Sequence, residues 1–443
     1  MCNSPTTTVG EVVELMRNGT TATQVNYPTN YPVTRIETIS EGKVDWQKVG
    51  YLEETSSSFL LKKGDILFSH INSVSHIGKV AYFDSDSQLH HGMNLMLIRP
   101  DPELIEPKFL FAQLSSDKAR CHARRECRSA INQASLSQPQ IARFSFTCPP
   151  KKAQHRIAEI LSTVDEAIEQ TEALIAKTQQ IKAGLMQDLF TRGVWTQAEL
   201  DRGDHKNTPD ADSAKPGKLR PTRQQAPHLY KESPLGWIPK EWDFTKLGSL
   251  SEIVSGVTLN KNSESGNITV PYLRVANVQD GYLDLNEIKT VKVDQSQLSR
   301  YALQAGDVLM NEGGDFDKLG RGTIWNEEIK PCIHQNHVFR VRITSQGLSP
   351  EFLAYWSQSD FGKKYFVLSS KQSTNLASIN SSQLNNFPIA LPSPAEQQEI
   401  IAKTKATSSQ LDELSSEAEK FRSIKSGLMH DLLSGKKPVN AAS

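Results

Sequence analysis

The 443-residue sequence contains no apolar run close to the ~18–20 residues needed to cross a bilayer. Its first ten residues carry neither a basic stretch nor an apolar one, so no secretory signal and a cytoplasmic setting are expected. Only five cysteines occur (Cys2, Cys121, Cys127, Cys148, Cys332), an odd and scattered set that suggests reduced thiols in a cytoplasm. Net charge is lacking too: 50 Lys and Arg balance 50 Asp and Glu, which argues against indiscriminate coating of DNA while leaving room for local basic surfaces. No Walker loop, no G-x-G-x-x-G after a strand and no Asn-Pro-Pro-aromatic methyltransferase signature is present. The length allows two to four domains.

What the sequence has is a long repeat. Residues 181–190, Ile-Lys-Ala-Gly-Leu-Met-Gln-Asp-Leu-Phe, return at 424–433 as Ile-Lys-Ser-Gly-Leu-Met-His-Asp-Leu-Leu, 243 positions later. The same offset pairs Pro149 with Pro392, Gln154 with Gln397, Ile157 with Ile400 and Phe144 with Phe387. It also pairs Pro107-Lys-Phe-Leu110 with Pro350-Glu-Phe-Leu353. Upstream the offset drifts, to 242 at Gly64-Asp-Ile-Leu67 and Gly306-Asp-Val-Leu309, and to 238 at Gly10 and Gly248. Short solenoid repeats recur every 20–50 residues; one repeat of this length means two domains built on one plan. The chain therefore has near two-fold symmetry, suited to a nearly symmetric partner such as duplex DNA.

Each half reads as two pieces. In 1–149 and 236–392, short alternating runs such as Asp65-Ile-Leu-Phe68 and Val338-Phe-Arg-Val-Arg-Ile343 predict strands, and 107–120 and 350–364 predict helices that open on proline. The expected class is α+β, with two tandem mixed α/β globules. Residues 150–193 and 393–443 each predict one long helix and its end. Ile157, Leu161, Val164, Ile168, Thr171, Ile175, Thr178, Ile181, Leu185 and Leu189 alternate spacings of four and three, the seam of a coiled coil. Ile400, Thr404, Thr407, Leu411, Leu414, Ala418, Phe421, Ile424, Leu428 and Leu432 repeat it. Ser393-Pro-Ala-Glu396 caps the second helix, and Gly193 and Gly435 close the two. About 40 residues at ~1.5 Å each make a rod of roughly 60 Å that needs a partner along its length. The obvious partner is the other copy. Residues 194–235 belong to neither copy and, being polar with Gly and Pro, read as a linker.

Chemistry is mostly missing. Asp101, Glu106 and Lys108 fit a PD…ExK nuclease string, but Pro107 breaks the strand that would carry it and the second half has neither acid. Cys121, His122 and Cys127 are a poor zinc signature, with no second cysteine pair. His90-His91 and His334-Gln-Asn-His337 read as turn or core histidines ahead of base-reading ones.

Basic residues are more telling. Lys118, Arg120, Arg124, Arg125 and Arg128 cluster on a helical stretch, Arg120, Arg124 and Arg128 on one face, and Lys363, Lys364 and Lys371 occupy the equivalent stretch. A charge run is commonly a solvated face; its recurrence, leading into Asn132-Gln133 and Asn375, favours phosphate contact. The loops after each Gly-Asp-Ile/Val-Leu are the second candidate surface. Their polar tips differ: Ser69, His70 and Asn72 in one half, Asn311, Glu312 and Asp315 in the other. Matched frames with different tips suit two readers of different base sequences.

With these motifs in place, the chain resembles a specificity subunit of a Type I restriction-modification system over nearly its whole length. The globule–helix–globule–helix order, the helix starts at Pro-x-x-x-Gln154 and Pro-x-x-Glu-Gln397, the paired Ile-Lys-x-Gly-Leu-Met-x-Asp-Leu ends and each Gly-Asp-Ile/Val-Leu carry the resemblance. It departs in the short lead-in before Gly10, where the second half has Leu235-Gly-Trp-Ile-Pro-Lys-Glu-Trp242, so a less anchored first strand is expected. The resemblance implies two target-recognition globules reading the halves of a split, asymmetric double-stranded DNA site. It implies that the two helices pack as an antiparallel coiled coil with pseudo-two-fold symmetry, set the spacer and dock two methyltransferase subunits. Those partners would carry S-adenosylmethionine and methylate adenine N6, motor-nuclease subunits would join for cleavage, and this chain would hold no cofactor or metal and perform no chemistry in a prokaryotic cytoplasm. A nuclease around Asp101, Glu106 and Lys108, or a protein-only coiled-coil adaptor, is the alternative.

Overall fold

The computed structural model describes residues 5–40, 42–73, 76–130, 133–259, 266–314, 319–372, 377–437 and 439. The chain divides into two compact units, 1–174 with 414–443, and 175–413. Each unit thus contains one globule and the adjoining halves of both long helices, a division that cuts across the sequential pieces.

In the first unit a four-stranded antiparallel sheet runs in the order Val80–Tyr82, Ile66–Phe68, Met96–Pro100, Val13–Asn18. In the second unit the same order recurs as Gly322–Ile324, Val308–Asn311, Val338–Ile343, Ser251–Ser255. Both sheets pack their apolar side against a proline-started helix, Pro107–Ser115 or Pro350–Gln358, through buried Phe109 and Leu110 or Phe352 and Leu353. The Gly-Asp motif has a structural cause in both copies. Gly64 and Gly306 take positive φ, +97° and +87°, which only glycine adopts cheaply. The buried Asp65 then accepts the Lys62 amide at 2.7 Å and holds Arg99 in a two-pronged ion pair, both bonds 2.7 Å. Asp307 does the same with the Gln304 amide and Arg342, all at 2.7 Å. The first strand is shorter in unit one: Thr6–Thr8 pairs with Ser145–Thr147, whereas Asp243–Lys246 pairs with Pro388–Leu391.

The long helices are Lys151–Arg192 and Pro394–Leu433, of 42 and 40 residues. In the first unit, Ile157 and Leu161 from the start of one share a core with Leu432 and Leu433 from the end of the other, and Leu428 packs on it. Lys425 pairs with Asp165 at 2.5 Å and Arg422 with Glu172 at 2.5 Å. In the second unit, Leu189 and Phe190 at the end of the first helix join Ile400 near the start of the second, with Leu185 alongside. Each fully buried Leu or Ile contributes about 1.5–3 kcal/mol. Val164, Ile168, Leu411 and Leu414 are half-buried. The buried seam threonines Thr171 and Thr404 satisfy their hydroxyls on Ala167 O and Ile400 O, 2.8 and 2.9 Å away. Two expected seam residues are not in the seam: Ile181 and Ile424 are 53% and 50% exposed.

Residues 194–235 are not a loose linker. A short helix, Gln197–Arg202, and a hairpin of Tyr230–Ser233 with Gly236–Pro239 fold onto the second unit. Buried Arg220 donates to Glu199 at 2.8–2.9 Å and to Glu396 at 2.5 and 3.0 Å. Glu396 also accepts Val194 N–H and the Trp242 indole N–H, each at 2.9 Å. Gly193, with φ +62°, passes so close that a Cβ would strike Glu396, Arg220 and Trp242. Polar composition hid this because the partners of Arg220 lie 21 and 176 residues away.

A buried glutamine joins each globule to its long helix. Gln154 Oε1 accepts the Glu106 amide at 2.9 Å and its Nε2 donates to Pro149 O at 2.9 Å. Gln397 Oε1 accepts the Ser349 amide at 2.9 Å and its Nε2 donates to Gly347 O at 2.7 Å and Pro392 O at 2.9 Å. Both therefore hold the backbone at the start of the globule's proline helix.

His91 and His334 are core residues, bonded at 2.8 Å to Leu95 O and at 2.6 Å to Val338 O. Burial pushes both imidazoles down to about 4.

Two outcomes are expected. Gln397→Ala leaves the half-buried Ser349 amide and two carbonyls short of a partner and destabilises the second unit by about 2–4 kcal/mol, read as a drop of several degrees in Tm; an unchanged Tm contradicts the joint. Because a buried neutral histidine must charge on unfolding, its stabilisation is complete above the unfolded value near 6.5 and is lost as pH falls toward about 4. His91→Gln with His334→Gln should remove about 2 kcal/mol per histidine of the acid sensitivity between pH 6.5 and 4.5, measured by urea titration against the unsubstituted chain; identical pH dependence contradicts it.

Candidate nucleic-acid interface

The two surfaces suggested separately by the sequence meet in each unit on a small three-stranded sheet. In the first unit the basic helix Asp117–Glu126 runs into strand Arg128–Ala130, which pairs with Gln133–Ser135, which pairs with Ile71–Asn72 from the loop after Gly-Asp-Ile-Leu. In the second, helix Asp360–Ser369 runs into Lys371–Gln372, which pairs with Ala377–Ser378, which pairs with Gly313–Gly314. Backbone bonds lock both arrangements identically: Leu136 N to His70 O and Ile379 N to Glu312 O, each 2.8 Å.

The basic helices start the same way. Ser116 and Ser359 cap them by accepting the amides of Ala119 and Gly362 at 3.3 Å. Ala119 and Ala123 are buried, which turns Lys118, Arg120, Arg124 and Arg125 outward, and Arg128 is exposed on the following strand. Arg125 lies 3.2 Å from Glu126, and Lys118 sits 5.9 Å from the centre of the Phe144 ring. Lys363 and Lys364 are exposed on the second helix, where Lys363 lies 3.4 Å from Asp280. Lys371 opens the outer strand. Sequence reading missed the glutamines that finish these helices. Gln140 Nε2 donates to Glu126 O at 2.5 Å and Gln383 Nε2 donates to Ser369 O. Their signal was present as capping boxes, Ser137-x-x-Gln140 and Asn380-x-x-Gln383, at the common offset.

The base-reading candidates divide. Ser69, His70 and Asn311 are buried, so their side chains have no path to a base edge, and that assignment is corrected. Asn311 donates to Val278 O at 2.9 Å, and Ser69 Oγ accepts from Asn72 at 3.1 Å. Strand ends packed beneath a sheet look polar in sequence for the same reason loop tips do. Asn72 is half-buried, and its carbonyl oxygen accepts the Ser73 amide at 2.8 Å. Glu312 is half-buried and pairs with exposed His337 at 2.7 Å. Asp315, Asn132 and Asn375 lie outside the described residues.

The nuclease string is dispersed into structural tasks. Asp101 accepts the Glu103 amide at 2.9 Å in a turn, Glu106 precedes the helix that Pro107 opens, and Lys108 lies 3.8 Å from Asp84. His122 is engaged with Gln140 O at 2.9 Å, and among the described residues no cluster of three metal-ligating side chains occurs. No described helix is long and apolar enough to cross a membrane.

Comparison with known proteins agrees with this geometry. The family model described as the Type I restriction modification DNA specificity domain matches residues 3–180 and again 239–419. A putative Type I restriction enzyme MjaX specificity subunit of Methanocaldococcus jannaschii is 31% identical over 96% of this chain and 92% of its own length. Among solved structures, the S subunit of a Type I restriction-modification system from M. genitalium shares the fold with TM-score 0.55 and 15% identity, covering 98% of this chain and 97% of that one. A chain from a structure describing complex assembly and conformational transition of the type I R-M system gives TM-score 0.56 at 16% identity, covering 99% of both. Two copies of the family domain on two copies of one frame place this chain in the family of Type I restriction-modification specificity subunits, the DNA-recognising and non-catalytic members of their complexes.

Proposed function

We propose that each globule reads one half of a split, asymmetric double-stranded DNA site. Its basic helix meets phosphates and the small sheet beside it meets bases. The observation that carries this reading is the matched pair of basic helices feeding matched sheets whose side chains differ: exposed Arg120, Arg124, Arg125 and Arg128 beside half-buried Asn72 in one unit, exposed Lys363 and Lys364 beside half-buried Glu312 and exposed His337 in the other, with Lys371 at the start of its outer strand. Phosphate contacts fix register and carry no sequence information, whereas groove contacts discriminate. With Ser69, His70 and Asn311 buried, discrimination falls to the exposed rim of each small sheet.

On this reading the two long helices pair antiparallel along their length as a coiled coil, giving a pseudo-two-fold body. What supports it is that in each unit the start of one helix packs with the end of the other, Ile157 and Leu161 with Leu432, Ile400 with Leu189. The rod, roughly 60 Å from its residue count, sets the distance between half-sites near one DNA turn (~34 Å). It also docks two methyltransferase subunits, which carry S-adenosylmethionine and act on adenine, and motor-nuclease subunits join the same cytoplasmic, prokaryotic complex. The chain itself contributes no cofactor.

Replacing Arg124 and Arg125 with alanine should weaken binding evenly across sequences and reduce the salt slope by about 1 for each arginine removed; a defect confined to one base position refutes the phosphate role. Inserting one heptad at matched points of both helices, about 10 Å, should lengthen the preferred spacer by about 3 base pairs and leave both half-sites unchanged. Site mapping that returns the original spacer refutes the ruler.

A further inference from the structure

The two small sheets share a frame and differ at one corner of it. Leu136 N bonds His70 O and Ile379 N bonds Glu312 O, each at 2.8 Å, so His70 and Glu312 occupy one place in the repeat. The matched bonds of His91 to Leu95 O and His334 to Val338 O likewise align Asn94 with His337. In the first unit His70 is buried, Asn94 is half-buried, and Ile71 and Asn72 follow His70. The second unit is open here. Glu312 and His337 stand on neighbouring strands one step beyond the Asn311–Val338 pair, with Glu312 N donating to His337 O at 3.0 Å. His337 Nδ1 lies 2.7 Å from Glu312 Oε2, and among the described residues Oε1 takes no hydrogen bond. The two side chains are 57% and 29% exposed, which leaves the pair within reach of a ligand. Gly313 and Gly314 come next, so the two residues after Glu312 carry no side chain that could cover it. Glycine in a strand suits close approach by a ligand.

A carboxylate beside a polyanion is repelled unless it finds a hydrogen-bond donor. It only accepts, so the facing Nδ1 of His337 carries the proton, holds Oε2 and leaves Oε1 for another donor. In the major groove the base donors are the N4 amine of cytosine and the N6 amine of adenine. The minor groove offers the guanine N2 amine, but at ~6 Å it is narrower than three strands spanning about 10 Å. Adenine sets its N7 acceptor beside its amine, where a carboxylate is repelled, and cytosine has no such neighbour in its own ring. We propose that Glu312, oriented by His337, reads the N4 amine of one cytosine in the major groove of the half-site that the second globule contacts. The proposal rests on the reading that each globule contacts half of a split site, and it names the residue and the base for one position of it.

The test is the map of sites modified by the full complex, this chain with its modification subunits, on a random-sequence DNA library, with Tm measured alongside. Glu312→Gln keeps the shape: the amide oxygen accepts from His337, and the amide NH2 replaces Oε1, so an acceptor becomes a donor. Thymine O4 stands where cytosine N4 stood. One cytosine of one half-site should therefore become thymine, preferred by roughly tenfold or more, while the other half-site and the spacer are retained. Glu312→Ala should leave that position degenerate, and Glu312→Gln, being isosteric, decides even where Glu312→Ala lowers Tm. His337→Ala should weaken selection at the same base, and His337→Asn, whose amide takes the place of Nδ1–H, should restore it. An unchanged map for Glu312→Gln would overturn the contact and leave the reading of two half-sites standing. Changes spread over several positions would also overturn it, since they mark a displaced globule. An adenine-to-guanine switch would overturn the choice of cytosine, and loss of a guanine would overturn the choice of groove. A map without a split site for the unsubstituted complex would overturn the reading of two half-sites and this contact with it.

Discussion

In each unit a buried glutamine ties the globule that carries the candidate interface to its long helix. Gln154 and Gln397 sit in the first turns of the long helices and bond the backbone at the start of the globule's proline helix. That helix packs on the four-stranded sheet, whose central strand runs on into the small sheet with the candidate rim. The path from the long helix to the rim thus begins at a short, hydrogen-bonded joint. Burial makes the joint stiff, since breaking it strands amides and carbonyls away from water.

Around this shared joint the two units solve one problem with different residues. Where Gln113 donates to Leu433 O in the first unit, Trp356 meets Phe190 edge-on in the second. Where His122 meets Gln140 O, Tyr365 meets Gln383 O. The frame is retained while its chemistry drifts. The second unit adds the Glu199–Arg220–Glu396 cluster; the residue of the first copy that matches Glu396 in the repeat is Ala153. One arginine between two buried carboxylates is justified only with every lone pair bonded, and Val194, Thr196 and Trp242 supply the remaining donors.

Local chemistry made much of this legible from sequence. Alternating spacings of four and three located both long helices, and Gly64-Asp65 and Gly306-Asp307 marked turns entering buried strands. Lys118, Arg120, Arg124, Arg125, Lys363 and Lys364 fell on exposed helix faces, whereas Arg128 and Lys371, expected to continue those runs, lie on the strands that follow. What failed depended on burial and distance in the chain. Ser69, His70 and Asn311 carry groove-reading side chains but end strands beneath the surface. The polar stretch 194–235 is folded by a cluster whose members are far apart in sequence. Ile181 and Ile424 continue the seam period yet face outward, because periodicity reports a face and not what covers it.

The central claim is that two interchangeable frames, each reading its own half-site, hang on one symmetric spacer. It is tested most directly by replacing residues 1–149 with a second copy of 236–392 and mapping the bases that the assembled complex modifies. The account predicts an inverted repeat of the second half-site with the original spacer. Retention of the asymmetric site, or a symmetric site with an altered spacer, would contradict it.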